Sequence, residues 1–159
     1  MCQICAGTAT FDPTRHPAGA DFATIFEGTN APSATSTPYA IGVGDVFSGT
    51  LSPAGDRDFV AVNFVAGETY TISLSGAPGG GGTLSDPYLR LYDASGSVIT
   101  SDDDGGQGLD SQLTFTATTS GTYYLGAGAY SDWYFGSYEL SVSQGAPVGP
   151  ATVGTLDEL

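Results

Sequence analysis

The densest chemistry in the sequence is the run Ser101-Asp102-Asp103-Asp104-Gly105-Gly106, which ends on Asp110. Adjacent carboxylates repel one another unless water or a cation separates them. Calcium suits such a loop, because it accepts roughly six to eight oxygens in flexible geometry and a loop offers both carboxylates and carbonyls. The spacing is not that of an EF-hand, and no glutamate closes the loop. Residues 105–110, GGQGLD, match the start of the glycine-rich nonapeptide of calcium-binding β-rolls. A single copy cannot build a roll, whose turns share their ions, so a plain Gly-Asp hairpin loop stands beside the calcium reading. A second acidic pair, Asp56 and Asp58, lies in GDRDF just before an apolar run. Glu27 and Asn30 upstream are placed to fold back over it, although aspartate also commonly opens a strand after a turn.

Other chemistry is poorly served. A Ser or Cys nucleophile needs a base, usually histidine, and the only histidine is His16 in the N-terminal stretch. There is no HExxH for a zinc protease. Paired aspartates could in principle serve glycoside hydrolysis, but Asp-rich segments between strands are more often turns or cation sites. Cys2 and Cys5 form one CxxC without the further ligands that zinc requires. The expectation is therefore a non-catalytic chain. One cluster suits binding: Tyr130, Trp133 and Tyr134, with Asp132 and Phe135, fall between two apolar runs. Exposed, these rings would stack on sugars or dock a polypeptide; the simpler expectation is that Trp133 and Phe135 fold inward and plug one end of the core.

The 159 residues hold 17 acidic side chains, three arginines and no lysine, for a formal net charge of −14. Such a chain repels nucleic-acid phosphates and lacks the basic segment that grips an anionic membrane, so neither is an expected partner. No run approaches the ~20 apolar residues that span a bilayer. The N-terminus carries no basic and apolar secretory signal.

The elements that must position these residues are short. Residues 1–38, rich in Ala, Thr, Pro and Ser, read as a poorly ordered leader with one apolar patch at Phe22, Ile25 and Phe26. From 39 to 144 the texture changes to runs of Val, Thr, Tyr, Phe and Leu broken by Gly, Asp, Ser and Pro. Tyr70, Ile72 and Leu74 alternate with Thr71, Ser73 and Ser75, the period-two signature of a half-buried strand. Asp45–Leu51, Arg57–Phe64, Leu89 with Leu91, Val98–Thr100, Leu113 with Phe115, Tyr123 with Leu125, and Tyr138 with Leu140 read likewise. Asp93-Ala-Ser-Gly96 is a hairpin turn. About eight strands with no room for helical crossovers predict an all-β, antiparallel, two-sheet sandwich. Residues 145–159 read as a Gly/Pro linker followed at Thr155, Asp157 and Glu158 by a helix start, the edge of a further domain.

Taken in order, GDRDFVAVNFVAGETYTISLSG, LSDPYLRLYDASGSVITSDDDGG and SQLTFTATTSGTYYLGAGAY resemble the bacterial pre-peptidase C-terminal domain, over about residues 39–143. The resemblance implies a jelly-roll-like β-sandwich attached to secreted proteases, an accessory for secretion, stability or substrate attachment without activity of its own. It also implies a neighbouring protease domain as partner, and an extracellular protein or polysaccharide substrate. Calcium is implied as cofactor: collagen-binding relatives hold it with a linker before the first strand and the GDxD turn, which here means Asp56 and Asp58, with Glu27 and Asn30 as the linker residues. The two chain ends resemble the edges of this domain in serralysin-like metalloproteases, which implies export by a signal outside this chain.

Overall fold

Alternation of apolar and polar residues with period two decides the architecture, because each strand buries one face and solvates the other. The computed structural model describes residues 23–145. Nine strands form, β1 Thr24–Phe26, β2 Val46–Leu51, β3 Asp58–Phe64, β4 Thr69–Ser75, β5 Pro87–Tyr92, β6 Val98–Asp102, β7 Ser111–Thr116, β8 Gly121–Ala129 and β9 Gly136–Gln144. They make two sheets, ordered β1-β2-β9-β4-β7 and β3-β8-β5-β6. Every pairing is antiparallel except β1 with β2.

The order follows from one nested hairpin. β5 pairs β6 across the Asp93–Gly96 turn, then β4 pairs β7, β3 pairs β8 and β2 pairs β9. Rolling that long ribbon brings β4 beside β9 and β5 beside β8. The result is a jelly roll, a two-sheet sandwich in which successive strands mostly change sheet. At the innermost turn Asp93 Oδ1 accepts the N–H groups of Ser95 and Ser97, at 2.9 and 3.0 Å, and Gly96 takes the left-handed φ of 92° that the turn needs.

Between the sheets lies one core, in which Phe47, Leu51, Ile72, Leu74, Tyr138 and Leu140 of the first sheet face Val60, Phe64, Leu89, Leu91 and Leu125 of the second. Fully burying a side chain of this size is worth ~1.5–3 kcal/mol. Gly49 stands opposite Tyr138 in the β2–β9 register, and a Cβ there would overlap the Tyr138 hydroxyl, so glycine is what lets that ring lie inward.

The folded part starts before residue 39. Residues 24–26 are a strand rather than leader, Ala31 is fully buried and Ile25 packs on the core. Phe59 N donates to Pro32 O at 3.1 Å and Ala61 N to Tyr39 O at 2.8 Å, so residues 32–41 run along the outer edge of β3. An open sheet edge carries unpaired amides and carbonyls, and this segment satisfies them; that need is invisible to periodicity. Cys2, Cys5, His16, Phe22 and the readings made for residues 146–159 lie outside the described residues.

Candidate functional site

Asp58 opens β3 at the same parity as Val60, Val62 and Phe64, so its carboxylate points between the sheets. It is 0% exposed. Tyr138 of β9, from the opposite sheet, donates its hydroxyl to Asp58 Oδ2 at 2.6 Å, while Oδ1 is buried with no partner. Burial pushes the Asp58 pKa from 3.8 to about 7; the Tyr138 bond pulls it down, and the charges of Glu27 and Asp56 push it further up. The Tyr138 phenol is raised well above its ordinary value, by burial first and then by Asp58.

Around this carboxylate the N-terminal segment folds back. Asn30 Nδ2 donates to Asp56 Oδ1 at 3.2 Å, and Asp56 Oδ2 accepts Ser52 N–H at 2.9 Å. Glu27 accepts Thr50 N–H on Oε1 at 2.8 Å and Ala31 N–H on Oε2 at 2.7 Å. Three carboxylates and an amide thus converge at one corner of the sandwich. Among the described residues the only ion pair is Arg57 with Asp132, so neither Arg57 nor Arg90 pairs with a carboxylate of this corner. The donor set is all oxygen and includes an orphaned buried carboxylate oxygen, the chemistry that calcium takes. Its three carboxylates are not drawn within 4.8 Å of one another, so an ion there would have to pull Glu27 inward; oxygens already accepting an N–H keep a second lone pair for a metal.

The 101–110 loop divides its aspartates. Asp102 Oδ2 accepts Gly105 N–H at 2.7 Å and Gln112 N–H at 2.9 Å. Asp110 is 4% exposed and accepts Gly76 N–H and Ser75 Oγ–H, both at 2.9 Å. These two tie the loop to β7 and to the end of β4, the role of hairpin-loop anchors rather than of a β-roll. Asp103 and Asp104 instead meet Asp86, with one carboxylate oxygen of each within 4.8 Å of the others. Oδ1 of Asp86 and Oδ1 of Asp103 are buried without partners. Burial, and then the neighbouring carboxylates, raise the pKa of both Asp86 and Asp103. Asp86 is the residue that sequence reasoning missed. Its signal was present: with the 93–96 turn as hinge, the antiparallel β5–β6 register pairs Leu89 with Asp102 and brings the residue preceding β5 to the loop following β6.

The aromatic loop between β8 and β9 corrects one expectation. Trp133 and Phe135 do not plug the core; they are 71% and 65% exposed, with Tyr130 and Tyr134 also at the surface. Tyr138 of β9 and Leu84 already fill that region, so the rings have nowhere to enter. Asp132 sits in a fork from Arg57, accepting Nε–H on Oδ1 at 3.0 Å and Nη2–H on Oδ2 at 2.6 Å. This pairing holds the Asp132 carboxyl below its usual range and lifts the Arg57 guanidinium. Ser131 and Asp132 both adopt left-handed φ, 55° and 59°.

Residues 56–129 match the family model described as the bacterial pre-peptidase C-terminal domain. The pre-peptidase C-terminal domain of a Bacillus anthracis collagenase superposes with TM-score 0.51 at 23% identity, covering 66% of this chain and 93% of that one. A periplasmic inhibitor of g-type lysozyme from Aeromonas hydrophila gives TM-score 0.44 at 16% identity, covering 77% and 98%. A surface-associated copper-binding protein of Methylomicrobium album gives 0.45 at 12%, covering 67% and 99%. No curated protein matches the chain.

Proposed function

We propose, from the match of residues 56–129 to the bacterial pre-peptidase C-terminal domain, an accessory domain of secreted proteases, that the chain is an exported, non-catalytic accessory module whose Glu27–Asn30–Asp56–Asp58 corner holds calcium. The observation that carries the calcium reading is the fully buried Asp58, with one oxygen lacking any partner and two further carboxylates beside it. A buried, unpaired charge is costly, and a divalent cation removes that cost. Asp56 and Asp58 would ligate it, with Glu27 and Asn30 closing over the ion. Bound calcium would then clamp the N-terminal segment onto β2 and β3 and raise stability by mass action. A module of this kind stabilises or attaches a neighbouring protease domain, in the serralysin-like context that the chain ends resemble.

Thermal unfolding in calcium, in magnesium and in chelator tests the proposal. Calcium is expected to raise the melting temperature of the natural chain by several degrees, a saturating excess over Kd being worth about 3 kcal/mol. In Asp58→Asn and Asp56→Ala that increment should vanish. Superimposable curves with calcium and with chelator would remove calcium from the function.

A further inference from the structure

Four of the six residues from Tyr130 to Phe135 are aromatic, and the chain spends conformational energy to keep them outside. Two successive non-glycine residues, Ser131 and Asp132, hold left-handed φ, a conformation disfavoured for L-residues by ~1–2 kcal/mol each. The Arg57 fork on Asp132 holds the turn in that shape, and Trp133 and Phe135 stand 71% and 65% exposed, with Tyr130 and Tyr134 beside them at the surface. Strain held by a clamp around exposed rings marks a preorganised contact surface.

Charge selects the partner. The chain carries −14 in all, and both described arginines are engaged: Arg57 with Asp132, and Arg90 lying 4.4 Å above the Tyr88 ring. Tyr130 N donates to Asp86 O at 3.0 Å, which sets the aromatic loop directly beside the Asp86–Asp103–Asp104 carboxylates. We propose that the loop 130–135 is a docking surface for an extended polypeptide bearing lysine or arginine side chains. The rings take the methylene stems and attract the cationic heads, and the adjacent carboxylates supply the field. Anionic polymers are repelled, and a neutral glycan gains nothing from the field. This inference rests on the reading of the chain as an attachment module, and is independent of the calcium corner.

Trp133 is the only tryptophan, so its emission reports on this loop alone. The full chain is titrated, in chelator, with a synthetic peptide of alternating lysine and glycine, with its glutamine analogue, and with a soluble neutral β-glucan, each at low and high salt. Expected is a saturable emission change with the lysine peptide only, weakened about tenfold or more by salt. Calorimetry should lose the binding in Trp133→Ala and weaken it about fivefold in Asp104→Asn, both variants melting like the natural chain. A response to the glutamine analogue equal to that of the lysine peptide, or to β-glucan alone, or to none of the three overturns the inference. A β-glucan response leaves the attachment reading standing, and an intact calcium effect on melting leaves the proposed calcium site untouched.

Discussion

A carboxylate at an inward strand position is the least expected residue in this sandwich, and its titration has a definite sign. Asp58 releases its proton near pH 3.8 when unfolded but near 7 when folded. Between those values the native state binds the proton that the unfolded chain has lost, so stability falls as pH rises from about 4 to about 7. In chelator, the melting temperature is expected to drop across that window by on the order of 15 °C, at about 1.4 kcal/mol per pKa unit and several degrees per kcal/mol. Asp58→Asn, which keeps the Tyr138 bond without the charge, should flatten the drop; calcium should flatten it in the natural chain by stabilising the ionised form. A melting profile equally steep in Asp58→Asn assigns the pH dependence elsewhere. The acid itself was legible in GDRDF. Its partner was not, because Tyr138 lies 80 residues away in the opposite sheet, and period-two alternation says that a ring points inward without saying what it meets.

At the scale of elements, strands were easy to read and the contents of loops were not. β2 through β9 announce themselves by alternation, since each is a local pattern. The orientation of the 130–135 loop depends on Arg57, a residue distant in sequence that strand pairing brings alongside: Asp58 pairs with Ala127 in the β3–β8 register. An inward Trp133 was the natural reading of an apolar ring, yet the core is already closed by Tyr138 and Leu84. The fork makes a prediction. Arg57→Ala should cost only about 1 kcal/mol of global stability, because both partners are partly exposed. It should nevertheless release the strained turn, so that amides of residues 131–135 exchange about tenfold faster. Arg57→Lys should not restore protection, since a point charge cannot make the two parallel bonds. Unchanged exchange in Arg57→Ala would mean that the loop holds its shape unaided.

At the scale of the whole molecule, the jelly roll leaves sheet edges that the chain must cover. Residues 24–41 do this twice, as β1 against β2 and as an extended segment along β3, anchored by Val46 N to Ala23 O at 2.9 Å and Phe59 N to Pro32 O at 3.1 Å. Composition alone made this stretch look like a leader, because edge-covering segments need backbone groups more than apolar side chains. A chain beginning at Tyr39 keeps every strand of both sheets except β1, yet loses those bonds, the buried Ala31, and Glu27 with Asn30 at the acidic corner. Several hydrogen bonds at ~1 kcal/mol each, with the exposed edges, amount to roughly half the stability of an ordinary domain. Denaturant unfolding should therefore show a markedly lower midpoint than for a chain beginning at Ala23, together with concentration-dependent association through the bared edges of β2 and β3. Calcium should no longer raise its melting temperature. Equal midpoints and a monomeric Tyr39 chain would return residues 23–38 to the status of a leader, and would take from the acidic corner the two residues that close it.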